Sequence, residues 1–129
     1  MSQMPGIARL EHVAIGVPAA KFDEIVQFYE RVFGWQTIRV NPGDFTFISD
    51  GSGGRIEVLV RDTTPLARPH HVAFVVALAD MDAARDALDA AGVQHDPIVE
   101  TPAGDKLLYF TDPAGNYMQI VGRKTPLAP

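Results

Sequence analysis

The sequence of 129 residues contains no cysteine. Disulfides and thiolate metal sites are therefore excluded, and a reducing compartment is allowed but not required. No apolar run approaches the roughly 20 residues that a helix needs to span a bilayer. Residues 1–6 have neither the basic start nor the apolar segment of a secretory signal. We expect a cytoplasmic protein with no membrane partner.

The chain also lacks an excess of basic residues. Its 11 Lys and Arg against 16 Asp and Glu give a formal net charge of -5. Nucleic acids and anionic membranes would repel such a surface, so neither is an expected partner. Hydrophobic residues make up 47% of the sequence, which together with the length predicts a single domain, residues 1–129, with its own core.

The sequence contains an internal repeat, in which one pattern occurs twice. EHVAIGV at residues 11–17 returns as HHVAFVV at residues 70–76, and DGSGGRIE at residues 50–57 returns as DPAGNYMQ at residues 112–119. Two histidines, His12 and His71, and the pair Glu57 and Gln119 thus hold matching places. If the two halves pack as a pseudo-symmetric pair, these four side chains converge on one point. Such convergence would build a metal site without cysteine.

Each half of the chain reads as strand, helix, strand, strand, strand. Period-two alternation, helical spacing of apolar residues and Gly or Pro turns define these elements. Strands are expected near residues 8–17, 35–40, 44–49, 55–61, 70–78, 95–100, 105–111 and 117–123, with helices ending at Gly34 and Gly92. The fold class is therefore α+β, with two tandem βαβββ modules at 7–64 and 69–123. A short linker at 62–68 joins them, and the tail 124–129 is expected to be frayed.

Alternation along the strands predicts which side chains share a face. Val13, Ile15 and Val17 should pack beneath the first helix, which turns His12 to the opposite face. In the fourth strand of the first half the same rule places Glu57 and Arg55 on the face of His12.

These residues resemble those of the vicinal oxygen chelate superfamily, which includes glyoxalases, extradiol dioxygenases and bleomycin-resistance proteins. The similarity covers about residues 7–123. It is strongest in LYFTDPAGNYMQI at 108–120, which resembles the strand–DPxGN–strand pattern of the family. The resemblance implies a cup-shaped, mostly antiparallel sheet assembly with one helix on the outside of each module. Because one fold can host many chemistries, the resemblance predicts the fold better than the reaction.

The resemblance also implies a divalent metal whose ligands come from the first and fourth strands of each module. Those positions hold His12, Glu57, His71 and Gln119. Two imidazoles, a carboxylate and an amide oxygen suit Zn, Ni, Co, Mn or Fe(II). Gln119 departs from the glutamate that many metal-dependent members carry. Because an amide cannot accept a proton, proton abstraction falls to Glu57, if it can leave the metal, or to a metal-bound hydroxide, and Glu57 is the predicted catalytic base.

Four further residues are candidates for binding substrate. Arg55 and Tyr117 hold equivalent places in the repeat and are candidates to bind an anionic group. Phe47 and Tyr109 are candidates for the cavity wall, and ordinary core packing is their alternative role.

These residues and the resemblance together imply two functions, beside a third alternative, a scaffold with no retained chemistry. The first is a metal-dependent enzyme, with a lyase or isomerase favoured over a ring-cleaving dioxygenase, acting on a small substrate that chelates the metal through vicinal oxygens. The second is a metal-free pocket that binds a drug or metabolite, as bleomycin-resistance proteins do, with the histidines as buried polar residues. Open sheet edges and the family resemblance suggest a homodimer.

Overall fold

The computed structural model describes residues 4–60 and 70–129. The first half contains β1 (Arg9–Val17), α1 (Phe22–Phe33), β2 (Gln36–Asn41), β3 (Phe45–Ser49) and β4 (Arg55–Val60). The second half contains β5 (His71–Val76), α2 (Met81–Ala90), β6 (Val99–Glu100), β7 (Lys106–Thr111) and β8 (Tyr117–Gly122). A 3-10 turn precedes each helix, at Ala19–Lys21 and at Leu78–Asp80. The α+β class and the two βαβββ modules are confirmed.

Contacts divide the chain into two compact units. The N-terminal unit contains Glu11–His71 and Leu127–Pro129, so it includes the first residue of β5. The C-terminal unit contains Val72–Pro126 and the described residues before Glu11. The predicted linker, 62–68, and the predicted boundary between the modules lie outside the described residues.

In the N-terminal unit β1 pairs with β4 in parallel, and β3 runs antiparallel to both β4 and β2. Helix α1 covers one face of these strands. Its apolar side chains pack on a core of Val17, Ile48 and Val58. The helix ends at Gly34, whose φ of 71° is the left-handed conformation that glycine adopts without a steric cost.

The expectation that Val13 packs beneath α1 is wrong. Ile15 and Val17 belong to the core under the helix, whereas Val13 is 40% exposed. The helix covers only the later residues of β1, so the alternation rule places Val13 on the correct face but at a point that α1 does not reach.

In the C-terminal unit β5 pairs with β8 in parallel, and β7 runs antiparallel to both β8 and β6. The core under α2 comprises Val76, Met81, Ala84, Leu88, Leu108 and Ile120. Gly122 lies so close to the 3-10 turn before this helix that a Cβ there would be 2.9 Å from the Cα of Leu78. Glycine at 122 is thus required by the close approach of β8 to the turn before α2.

The strand predicted at 95–100 is much shorter than expected. Only Val99–Glu100 pairs as a strand, and His95 forms an isolated bridge with Phe110. Pro97 lies between them and has no N–H to donate, which explains the interruption.

The side chain of His95 ties this segment to α2. Its Nδ1 donates to the carbonyl of Asp96 at 2.8 Å, and its Nε2 lies 2.6 Å from Oδ1 of Asp89. These hydrogen bonds, the one to Asp96 first, raise the pKa of His95 above its usual range, although burial and the charge of Arg85 oppose the rise.

The sequence predicts a frayed tail at residues 124–129, but its last residues are docked. Leu127 is only 7% exposed, and Leu127–Pro129 belong to the N-terminal unit. The hydroxyl of Ser49 donates to the carbonyl of Pro129 at 2.7 Å. The C-terminal tail, Leu127–Pro129, is therefore part of the packed structure.

None of the helices in the described residues has the length and apolar character to cross a membrane.

Candidate metal centre

Three predicted ligands meet within the N-terminal unit. His12 Nε2 lies 3.2 Å from His71 Nε2. Glu57 Oε1 lies 3.5 Å from Nε2 of His12 and 3.6 Å from Nε2 of His71. These donor atoms all fall within 4.8 Å of one another. We call this group the His–Glu–His cluster.

Strand pairing explains how Glu57 reaches the histidine of β1. The parallel register places Ala14 opposite Glu57, and His12 lies two residues before Ala14 on the same face of β1. Because Ala14 has a small side chain, the longer side chain of Glu57 can extend beside it towards the imidazole of His12. Phe47, opposite Glu57 on β3, contacts the His12 ring edge-on at a centroid distance of 5.0 Å.

The cluster is buried. The two imidazole side chains are each 1% exposed, whereas the Glu57 side chain is 11% exposed. Buried polar atoms must be partnered, so this cluster needs a metal, a proton or hydrogen bonds to satisfy its lone pairs. Glu57 is also the member of the cluster that solvent and small molecules reach most easily.

The separations match the donor set of a divalent metal. Metal–ligand distances of about 2.0 to 2.2 Å imply that neighbouring donors lie about 2.8 to 3.1 Å apart at right angles and about 3.3 to 3.6 Å apart at tetrahedral angles. The observed separations of 3.2, 3.5 and 3.6 Å are close to these ranges. Two imidazole nitrogens and one carboxylate oxygen are also the donor types that zinc and its transition-metal neighbours bind. The residues present therefore fit a divalent cation.

A second buried carboxylate lies next to the cluster and was missed by the sequence analysis. Oε1 of Glu11 lies 2.8 Å from Nδ1 of His12, and Glu11 is only 3% exposed. Burial lowers the pKa of His12, but hydrogen bonds and charges from Glu11 and Glu57 outweigh it and raise this pKa above its usual range. The raised pKa shows how strongly the two carboxylates favour positive charge at this position.

Arg55, a predicted substrate-binding residue, is 9% exposed and contacts main-chain carbonyls. Its Nε donates to Ala128 at 2.8 Å and its Nη2 to Leu127 at 3.3 Å. Its Nη1 donates to the carbonyl of Glu11 at 3.1 Å. Arg55 thus anchors the C-terminal tail on the strand that carries Glu57.

Two predicted site residues differ sharply in exposure within the C-terminal unit. Tyr109 is 6% exposed and lies opposite Gln119 in the β7–β8 pairing, whereas Tyr117 is 44% exposed. Their roles in substrate binding stay predictions.

Gln119, the predicted fourth ligand, lies on β8 opposite Ala73 and is 3% exposed. Its Oε1 is buried and has no hydrogen-bond partner among the residues that the structure describes. A buried amide oxygen without a partner costs free energy, so such an atom is a good candidate ligand. Its role as a metal ligand stays a prediction from the sequence.

Comparison with known proteins gives a family and a fold. The family model described as Glyoxalase/Bleomycin resistance protein/Dioxygenase superfamily matches residues 9–120. No curated protein matches the sequence.

Several solved structures are similar in fold. A variant of the Streptomyces coelicolor methylmalonyl-CoA epimerase, in complex with 2-nitronate-propionyl-CoA, is 20% identical with a TM-score of 0.71, covering 96% of this chain and 100% of that one. The Mycobacterium tuberculosis methylmalonyl-CoA epimerase is 19% identical with a TM-score of 0.74, and the match covers 97% of this chain and 94% of that one. The Mn(II)-bound glyoxalase from Novosphingobium aromaticivorans is 19% identical with a TM-score of 0.70, and the match covers 95% of this chain and 40% of that one. At these identities the likeness shows the fold and leaves the reaction open.

Proposed function

We propose that this chain, which belongs to the Glyoxalase/Bleomycin resistance protein/Dioxygenase superfamily, is a metal-dependent enzyme that acts on a small substrate with two vicinal oxygens. The observation that carries the proposal is the buried His–Glu–His cluster, whose donor atoms lie within 4.8 Å of one another. A cytoplasmic location and a homodimer, both predicted from the sequence, stay predictions.

The three residues of the cluster have different roles in this proposal. His12 and His71 would hold the cation through their Nε2 atoms, since these nitrogens face each other in the cluster. A bound divalent cation supplies Lewis-acid stabilisation of negative charge that develops on a substrate oxygen. Gln119 is the proposed fourth ligand from the sequence.

Glu57 is the proposed third ligand and, when its carboxylate leaves the cation, the proposed catalytic base. It is the most exposed member of the cluster, at 11% for its side chain, and it is a carboxylate that can accept a proton and return it. A proton transfer beside a carbonyl group needs one such base when the proton leaves and returns on the same face of the substrate. This role favours a lyase or isomerase over a ring-cleaving dioxygenase. Two histidines and one carboxylate are also the donor set of non-haem Fe(II) oxygenases, so the native metal separates these classes.

A specific observation also supports a second function, a metal-free binding pocket like that of bleomycin-resistance proteins. The two Nε2 atoms at 3.2 Å are within hydrogen-bond distance if one of them carries a proton. The cluster would then satisfy itself without a cation, and the protein would act by binding its ligand.

Metal analysis of the purified, tag-free protein by mass spectrometry distinguishes the two functions. We expect about one divalent transition metal per chain, lost in His12→Ala and in Glu57→Ala. Matched controls are His70→Ala and Glu100→Ala, because both side chains are exposed and lie outside the cluster. These controls should retain the metal.

A protein that binds no metal after reconstitution would contradict the enzyme proposal. In that case ligand binding that is unchanged by His12→Ala would support the metal-free pocket. If metal is found, iron would direct assays to oxygenase substrates, whereas Zn, Ni, Co or Mn would direct them to lyase and isomerase substrates.

A further inference from the structure

We propose that Glu11 is a positioning residue that fixes the tautomer and orientation of the His12 imidazole, so that Nε2 is presented for metal binding. The inference rests on the proposed function, because it assigns a role towards the same metal. Its basis is the contact of 2.8 Å between Oε1 of Glu11 and Nδ1 of His12.

The contact sets the tautomer by the chemistry of its two groups. A carboxylate in a hydrogen bond only accepts, so Nδ1 of His12 must carry the hydrogen. In a neutral imidazole the other nitrogen then has a free lone pair. That nitrogen, Nε2, is the atom that lies 3.2 Å from His71 Nε2 and 3.5 Å from Glu57 Oε1. Glu11 therefore makes available the nitrogen that the cluster uses.

The same contact also fixes the direction of the ring. Glu11 holds one edge of the imidazole through Nδ1, and Phe47 packs against the ring at an interplanar angle of 81°. The His12 ring is thus held before any ligand arrives, which lowers the entropy that binding must remove. Carboxylate partners of this kind orient metal-ligating histidines and raise their basicity.

The placement of Glu11 is unusual for a strand residue. Neighbouring residues of a strand point to opposite faces, yet the Glu11 side chain returns to the ring of His12 and is 3% exposed. A glutamate is rarely buried to this degree unless it is paired. The contact with His12 offsets part of the cost of burying this carboxylate.

Comparison of the two repeats supports the same conclusion. The position equivalent to Glu11 in the second repeat is His70, which is exposed and whose Nδ1 accepts a hydrogen bond from the amide of Gly16 at 3.4 Å. The repeated fold thus tolerates a different residue type before the matching histidine, His71, so the fold itself does not demand a carboxylate at position 11.

The first test is the tautomer of His12 in the metal-free wild-type protein, measured by long-range nitrogen–proton NMR correlations in alkaline buffer. We expect the form with hydrogen on Nδ1. The form with hydrogen on Nε2 would overturn the proposal without any variant being made. In Glu11→Gln, whose neutral amide can donate or accept, a mixture of the two tautomers is expected.

The second test is metal affinity, measured by competition with a chromophoric chelator. Loss of a carboxylate that orients a ligating histidine typically lowers affinity by about 10- to 100-fold, and we expect this for Glu11→Gln. Glu11→Asp, which keeps the charge but shortens the reach to Nδ1, should also bind more weakly. Glu100→Gln is the matched control and should bind as the wild type does. Circular dichroism and thermal melting would show that each variant is folded.

The outcomes separate this inference from the proposed function. Wild-type protein that binds no metal would end both. Wild-type protein that binds metal, with Glu11→Gln of equal affinity and unchanged tautomer, would refute the role of Glu11 and leave the proposed function standing.

Discussion

Replacement of Arg55 by methionine should release the C-terminal tail. The guanidinium donates to three carbonyls, those of Ala128, Glu11 and Leu127, at 2.8, 3.1 and 3.3 Å. Hydrogen bonds to a charged group contribute about 1.5 to 3 kcal/mol each, and the three would sum to about 4.5 to 9 kcal/mol if they were independent. They are not independent, because a released tail exposes the carbonyls of Leu127 and Ala128 to water.

Only the carbonyl of Glu11 would then stay buried after it loses the hydrogen bond from Arg55. We therefore expect Arg55→Met to lower the free energy of unfolding by about 2 to 4 kcal/mol, that is, one lost hydrogen bond at a buried carbonyl plus the lost docking of the tail. Arg55→Lys keeps the charge but not the planar fork of donors, so its loss should be smaller. The comparison separates the effect of charge from that of geometry.

Two measurements check this prediction. Urea denaturation gives the change in the free energy of unfolding, and NMR of the Leu127 methyl groups reports whether the tail has left its site. In the wild type Leu127 is 7% exposed, and in Arg55→Met its methyl resonances should move to those of a leucine in water. Unchanged methyl resonances together with a loss below about 0.5 kcal/mol, the level of an ordinary surface substitution, would refute the reasoning.

Two further predictions concern the C-terminal unit. Gly122→Ala should lower the free energy of unfolding by about 1 to 3 kcal/mol in urea denaturation, because the new Cβ would lie 2.8 Å from Cγ of Met81 and 2.9 Å from Cα of Leu78; wild-type stability would contradict this close approach. Because the pKa of His95 is raised in the folded state, its protonated form stabilises the fold below the unfolded pKa of about 6.5, and this contribution is lost as the pH rises through the raised value. Thermal melting should therefore show that His95→Gln loses more stability, relative to the wild type, in acid than in alkaline buffer, and a difference that is independent of pH would argue against the contact with Asp89.

The sequence predicts the His–Glu–His cluster because two simple rules act together. Strand alternation decides which face each side chain takes, and the repeat indicates which strands lie in equivalent places. His12 and Glu57 follow both rules, and their β1–β4 register brings them together. The parallel pairing joins residues that are distant along the chain, so no local pattern predicts it. The repeat was the evidence that the two histidines and Glu57 hold related places.

Strand alternation alone does not predict a contact between Glu11 and His12, because the two residues are neighbours on one strand. The rule sends residue 11 away from the face of His12, but it concerns the Cβ direction and not the end of a long side chain. A signal was present in the sequence, since a glutamate directly precedes the predicted ligand in one repeat and a histidine, His70, does so in the other. A glutamate directly before a predicted metal ligand raises the question of which group pairs with its charge.

The docked tail could not have been found from local sequence. Its partner Arg55 lies 72 residues from Leu127 and 73 residues from Ala128 along the chain. Polar and proline-rich terminal residues favour fraying when only local preferences are considered. By contrast the short β6 had a local cause, because Pro97 was visible in the sequence as a residue that cannot donate to a ladder.

The most direct test of the metal centre is a crystal structure of the reconstituted protein with anomalous diffraction measured at the absorption edge of the bound metal. The account predicts an anomalous peak bonded to Nε2 of His12, Nε2 of His71 and a carboxylate oxygen of Glu57. A fully reconstituted crystal whose peak lies elsewhere, or which shows the two imidazoles hydrogen-bonded to each other with no peak between them, would contradict it.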